Sequence, residues 1–416
     1  MVSSSDSALS MNGRAVAAPS WRLWGIRASL IGTVASVMLL GHTTRTLPFL
    51  YASLSLFVIV YFAAQWDRAA QSLAHYVTSR TLMWRWAFVV WAVASLLWTT
   101  RTGLSLGRAT TLLQIQVLGW ILFDAALSGE GRWIVVAVFM SAVVGAAVIL
   151  PAAFLLDSHQ RARGIFGNPN GVAMASLFGL CAFLSVAPSL RSRVWGVVSH
   201  LGALAVVAAI VASASRKGML GAAVVWASSL VFSGTRRHAL VHAGLAASLG
   251  LLLYAAGEPF RSYWAIAVGR SALVTRLWTS LSVRSISLTE RARFAKEGLR
   301  LMWRSPLLGH GLESFVWVSN EGSCSHNNFA ELGVSLGIPG ILLYYGLHSA
   351  VLVRSVITRA WRTVVGRFAI LAIVAMLFLD VGMISYFEKL PSLLLIFFAG
   401  WVGAKAGGEL KEANGA

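Results

Sequence analysis

Four short stretches of this chain concentrate residues able to grip an anion or move a proton. The first holds Arg161, Arg163 and Gly164, followed by Asn168-Pro169-Asn170-Gly171. Asn, Pro and Gly at this spacing specify a turn. The turn leads straight into an apolar run, and the first N–H groups of a helix there can bind an anion. Two arginines just ahead of it suit phosphate oxygens; read blandly, they snorkel at a membrane edge. The second stretch, Ser215-Arg216-Lys217-Gly218, joins two apolar runs. It is either a tight hairpin with interfacial cations or a further cationic contribution to the same surface. The third runs from Glu290-Arg291 to Pro306-Leu307-Leu308-Gly309-His310-Gly311. The Pro and glycines end an amphipathic helix predicted over 289–303. Arg291 falls at its start, where the helix dipole favours anions, so a bound anionic ligand would remove a conflict. The fourth is His326-Asn327, then nine residues, then Gly337-Ile338-Pro339-Gly340. A lone histidine is more often structural than catalytic. Glu331, five residues on, could orient it. Glycines around Pro339 permit a break or close helix packing inside a membrane.

Other polar residues stand inside apolar runs. Asp380 is functional by default in such a place, or else pairs with a neighbouring helix. Arg85, His200 and His242 read as snorkelling or as satisfying local polar needs. His310, in the Pro-Leu-Leu-Gly turn, is a candidate neighbour of the site.

The elements that must position these residues are membrane spans. Apolar residues make up 57% of the 416 positions and charged residues only 12%, against about a quarter charged in soluble domains. Runs near the length needed to cross ~30 Å of hydrocarbon occur at 23–41, 47–64, 82–99, 104–128, 133–156, 171–190, 194–213, 217–233, 238–256, 327–352, 366–386 and 388–406. Trp21, Trp24, Trp66, Trp133 and Trp195 near span ends fit aromatic belts. The fold class expected is therefore all-α: a polytopic transmembrane helical bundle of about twelve spans. Its parts are a tail 1–22, spans one to nine within 23–256, an extramembrane loop domain 257–326, spans ten to twelve within 327–406, and a tail 407–416.

The even-numbered short loops carry Arg68, Arg80, Arg132, Arg191, Arg193, Arg236, Arg237, Arg354, Arg359, Arg362 and Arg367. That side reads as cytoplasmic, with both termini. All four anion-binding stretches then face the opposite, outer side. The first span serves as targeting signal, with no cleaved signal peptide. The net charge of +19 would suggest nucleic acid in a soluble protein. Here the basic residues sit between spans, which points to anionic lipid or a phosphorylated substrate and not to nucleic acid. Cys181 and Cys324 form neither a disulfide framework nor a metal signature. There is no Walker loop, no dinucleotide-binding glycine motif and no His/Cys cluster, and the aspartates lie far apart in sequence. No metal or cofactor is expected, so arginines would have to neutralise a diphosphate.

In order and on one predicted face, the four stretches resemble the O-antigen ligase and polymerase superfamily of bacterial inner-membrane glycosyltransferases, which are GT-C-like in fold. The family's Arg-x-x-Gly-x-Phe-x-Asn-Pro-Asn matches from Arg161, and its Ser-Arg pair matches Ser215 and Arg216. Its Arg, amphipathic helix and Pro-Leu-Leu-Gly match Arg291 and Pro306 to Gly309. Its His-Asn-x9-Gly-x-x-Gly matches His326, Asn327, Gly337 and Gly340. The resemblance implies a multi-pass inner-membrane enzyme with a periplasmic active site. An O-antigen ligase would move polysaccharide from undecaprenyl diphosphate to lipid A–core by metal-independent inverting transfer. A polymerase is the near alternative, and a lipid-linked oligosaccharide transporter the one from another class. The catalytic residues implied are His326, as base or positioner of the acceptor hydroxyl, with Arg161, Arg216 and Arg291 on the diphosphate. Arg163, Asn168, Asn170, Lys217, Asn327 and His310 are implied in substrate binding.

Overall fold

The computed structural model describes residues 20–41, 46–155, 169–190, 192–213, 215–231, 286–319 and 321–406. Within them the regular elements are helices, and no strand occurs among the described residues. In chain order they are α1 Ser20–Leu40, α2 Leu47–Gln65, α3 Ala69–Thr78, α4 Met83–Ala94, α5 Thr102–Leu127, α6 Gly131–Leu155, α7 Pro169–Val186, α8 Arg193–Ala212, α9 Arg216–Leu230, α10 Ile286–Arg304, α11 Asn328–Ile357, α12 Val364–Asp380 and α13 Lys389–Ala406. Helices occupy all the expected spans but 238–256, which lies outside the described residues. So do Arg161, Arg163, Asn168 and His242, and most of both tails. Among the described residues, eight helices are long and apolar enough to cross a membrane by length and composition.

A helix that is apolar all round must be buried in protein or face lipid, and both cases occur. α7 and α13 are almost wholly covered, with Phe178, Phe183, Phe397 and Phe398 at the centre of the core. α2 and α8 lie outside them and expose Phe49, Leu56 and Ile59, and Val194, Leu201 and Leu204.

The loops sort onto two ends of the bundle. At one end Arg22 pairs with Asp67, Arg27 with Glu130, and Arg354 donates to Thr81. Arg367 donates to the Ser185 carbonyl and to Ser189 Oγ at the same end. These are the N-terminal and even-numbered connections of the sequence reading. At the other end Ser105 donates to the Leu312 carbonyl (2.6 Å) and Trp98 to that of Leu308 (3.2 Å). There too Asn327 donates to the Val381 carbonyl and Ser215 to Asn170. The odd-numbered connections therefore share one surface, formed by the starts of α5, α7, α9, α11 and α13 and the ends of α4 and α12.

α11 is two half-helices. At Gly337 the backbone adopts φ 68°, ψ −170°, a region open essentially to glycine. Pro339 removes the N–H that would have closed onto Ser335. The freed groups are taken up by the turn that follows α10. His310 N–H donates to Val334 O (2.8 Å), Gly311 N–H to Ser335 O (2.9 Å), and Ile338 N–H to Pro306 O (2.8 Å). Trp91 Nε1 donates to Leu336 O at 2.9 Å. The Pro306–Gly311 and Gly337–Gly340 motifs are thus two halves of one hydrogen-bonded joint. A Cβ at Gly337 would lie 2.6 Å from the Pro306 carbonyl oxygen. Gly337→Ala is expected to cost on the order of 3 kcal/mol through dihedral strain and clash, seen as a loss of monodisperse protein on heating in mild detergent.

Three details differ from the sequence reading. α3 is a short helix in a segment expected to be loop, with Ser72 and Tyr76 inward and Leu73 and Val77 outward. α10 starts at Ile286, because residues 286–288 contain no breaker. Arg291 therefore sits in its second turn, beyond the terminal N–H groups, and the expected dipole conflict is absent. Arg85 does not snorkel: it is 2% exposed and enclosed between α3, α4 and α11.

Candidate functional site

α10 packs on the first half of α11. Its inner stripe is Phe294, Gly298 and Leu301, all buried, at the four- and three-residue steps of a helical face. Gly298 lets α10 approach closely, since a Cβ there would stand 2.8 Å from that of Ala330. Arg291, three residues before Phe294 and half-buried, continues that stripe. Phe294 stacks on His326 with ring centres 6.2 Å apart and meets Phe315 edge-on. So the helix that carries Arg291 also shelters the histidine.

His326 has φ 52°, a left-handed conformation uncommon for any residue with a Cβ. The loop around it is tied on both sides. Asn327 caps α11 by accepting from Ala330 N–H (3.0 Å), and its amide donates to Val381 O. Buried Glu331 accepts from both Ser325 N–H (3.2 Å) and Ser325 Oγ (2.9 Å). Glu331 thereby orients His326 through the Ser325 backbone and not by touching the imidazole. Behind the loop, Asp380 accepts from Tyr345 (2.8 Å), Asn328 (3.3 Å) and Ser385. Asn328 in turn accepts from the N–H groups of Ser385 and Tyr386. Of the two roles open to Asp380, the structure gives pairing with a neighbouring helix, placed where it fixes the base of the site.

The cations arrive from α9. Ser215 caps it by accepting from Gly218 N–H, which sets Arg216 and Lys217 in the first turn at the odd-loop surface. Lys217 passes over Gly382, where a Cβ would stand 2.6 Å from its Cδ. It reaches electrostatic range of Arg291 and Cys324. Ser215 also donates to Asn170 (3.3 Å), which fixes the start of α7 beside it. His326 lies exposed at this rim. Partial desolvation, then Lys217 and Arg291, hold its imidazole below the usual 6.5.

That shift has a sign. Below its pKa the imidazole is protonated and cannot take a proton, so if His326 is the base of a reaction, activity is expected to fall on the acid side. The kcat/KM acid limb belongs to the free enzyme and should lie below the ordinary histidine value. Lys217→Ala removes one of the cations and should move the limb to higher pH. A pH–rate series on both proteins checks this, and a limb unmoved or moved down counts against the cluster.

The structure thus brings together His326, Asn327, Arg291, Arg216, Lys217 and Asn170 at one surface. It places His310 apart from them: its ring nitrogen lies 3.2 Å from the Leu301 carbonyl and its N–H serves the α11 joint. Phe294 and Gly382 were not anticipated. The signal for Phe294 was its three-residue spacing from Arg291; Gly382 is visible only once α9 and α12 are side by side. Among the described residues no three His, Cys, Asp or Glu side chains gather as a metal-binding set.

Residues 201–345 match the model of the family described as O-antigen ligase. The match covers 201–345 of the 416 residues and supports a likeness to the O-antigen ligase family over this segment. The matched segment spans α8 to the middle of α11 and so contains Arg216, Lys217, Arg291, His326 and both halves of the joint. No curated protein matches the chain. The match supports, in general terms, an enzyme of O-antigen ligase or polymerase type.

Proposed function

We propose that the protein is an O-antigen ligase. It moves O-antigen polysaccharide from undecaprenyl diphosphate to lipid A–core at the periplasmic face, which is the odd-loop surface, with both termini cytoplasmic. The observation that carries this reading is the convergence of Arg291, Lys217 and His326, from three separate elements, on one rim. An exposed imidazole kept neutral beside fixed cations suits a reaction that needs a base and an anionic leaving group together.

In the scheme, Arg216 and Arg291 hold the donor diphosphate, joined by Arg161 and Arg163 from the segment that precedes α7 in sequence. Bidentate guanidinium pairing suits phosphate oxygens and follows the charge as it develops. His326 takes the proton of an acceptor hydroxyl. That oxygen attacks the anomeric carbon from the side opposite the diphosphate. The carbon–oxygen bond to the diphosphate breaks, undecaprenyl diphosphate leaves, and the anomeric configuration inverts. The arginines supply the charge neutralisation, so the scheme needs no metal. Asn168, Asn170 and Asn327 shape the surroundings.

The test is transfer by purified protein in vesicles with lipid-linked donor, lipid A–core acceptor and no ion gradient. Ligation yields polysaccharide on core. Longer chains that remain on the lipid carrier would assign a polymerase instead. Movement of donor across the bilayer without transfer would assign a transporter. Cys324, beside His326 and half-buried, reports the orientation, since Cys181 is fully buried. A membrane-impermeant maleimide should label Cys324 from the periplasm; labelling only after the cytoplasmic side is opened would overturn the orientation.

A further inference from the structure

Arg85 has no place in that scheme. It sits in the first turn of α4, at the end of the bundle opposite His326. It is 2% exposed, and among the described residues its buried Nε and Nη2 have no hydrogen-bond partner. The packing around it is close: Gly346 of α11 lies against the Trp84 ring, where a Cβ would fall within 2.4 Å. Among the described residues, the groups that act on Arg85 are the Phe88 ring, 5.6 Å from its guanidinium carbon, and the phenols of Tyr344 and Tyr76, with His348 nearby. None is an anion at neutral pH.

A guanidinium cannot shed its proton to escape this setting. No counter-ion stands beside it among the described residues, and a buried charge without one is strongly unfavourable, so an anion bound there would relieve it. The approach to it is also cationic. Arg80 stands exposed just before α4, and Arg354 donates to Thr81 from the last turn of α11. Beside them α3 keeps Tyr76 inward and turns Leu73 and Val77 outward, as a helix lying at a lipid surface does. Basic recesses between membrane helices, near a headgroup layer, are suited to anionic headgroups.

We propose that Arg85 is the inner end of a site for the phosphate of an anionic lipid, completed at its mouth by Arg80 and Arg354. The lipid belongs to the leaflet at the even-loop end and is distinct from the glycan donor at the other surface. Guanidinium forks pair with the phosphate oxygens, and the acyl chains run down the outer side of α3 and α4.

The probe is phosphatidylglycerol, added to delipidated protein in mild neutral detergent, with thermal stability and native mass spectrometry as readouts. Wild type should bind it and be stabilised by it, and not by phosphatidylcholine. Arg85→Met, close in size and uncharged, should weaken apparent binding by about tenfold or more, the scale of a lost charged hydrogen bond. Equal responses of wild type and Arg85→Met, or no response in wild type, overturn the site. Inorganic phosphate stabilising as well as the lipid at equal concentration overturns the lipid assignment in favour of a free anion. Should Arg85→Met not fold, Arg80→Gln carries the test at an exposed position, and an unaltered lipid response there overturns the proposal.

Discussion

Replacing His326 with asparagine leaves the protein folded and inserted while its transfer rate falls by about 10²- to 10⁴-fold, the range for loss of a general base. Asparagine is chosen because it tolerates a left-handed backbone, which the φ of 52° at this position demands. The fold should survive because the loop is anchored elsewhere, by Glu331 on Ser325 and by the Asn327 cap. Among the described residues, the imidazole itself makes a 3.7 Å contact with Cys324 Sγ and the stack on Phe294. The check is single-turnover transfer by the purified variant, alongside its melting temperature. A rate within about threefold of wild type, roughly half a decade, would remove His326 from the chemistry and leave it a structural residue.

The second large effect belongs to Arg291. Arg291→Ala should lower kcat by about 10²- to 10³-fold, as removal of one preorganised charge-stabilising donor does. Arg291→Lys should recover part of this, since it keeps the charge and loses the planar fork. Neither change should disturb packing, because the buried side of α10 is carried by Phe294, Gly298 and Leu301. Kinetics at saturating donor separate this from weaker ground-state binding, which would raise KM and leave kcat unchanged. Full activity in Arg291→Ala would dissolve the cationic half of the site.

Much of the architecture could be read from the chain because apolar run length is a direct physical requirement of a bilayer. α5, α6 and α13 lie within a few residues of their expected limits for that reason. Charge on alternate connections likewise anticipated which loops share an end. The site was legible in part: Ser215 and Arg216 do open α9, Asn327 does cap α11, and Gly337 does break it. What stayed hidden depends on contacts between distant segments. Nothing local in Pro306–Gly311 announces that its N–H groups complete α11 thirty residues on, within the reach of about one helix length. Nor does Met83-Trp84-Arg85-Trp86 reveal that its cation is enclosed, because snorkelling is the ordinary escape and only the α4–α11 packing closes it. α3 was missed since its ten residues include Gln71, Ser72 and His75 and show no long apolar run.

The joint between the Pro306–Gly311 turn and α11 has a mechanical consequence. It pins the C-terminal end of α10 to a half-helix embedded in the bundle, while Arg291 rides fifteen residues away along the same rod. At 1.5 Å per residue that is a lever arm of about 20 Å. A tilt of about ten degrees at the pinned end sweeps the guanidinium through roughly 3.5 Å over such an arm. That stroke exceeds the tolerance of a hydrogen bond, so in the proposed scheme a slight rocking of one rod would suffice to engage or release a phosphate.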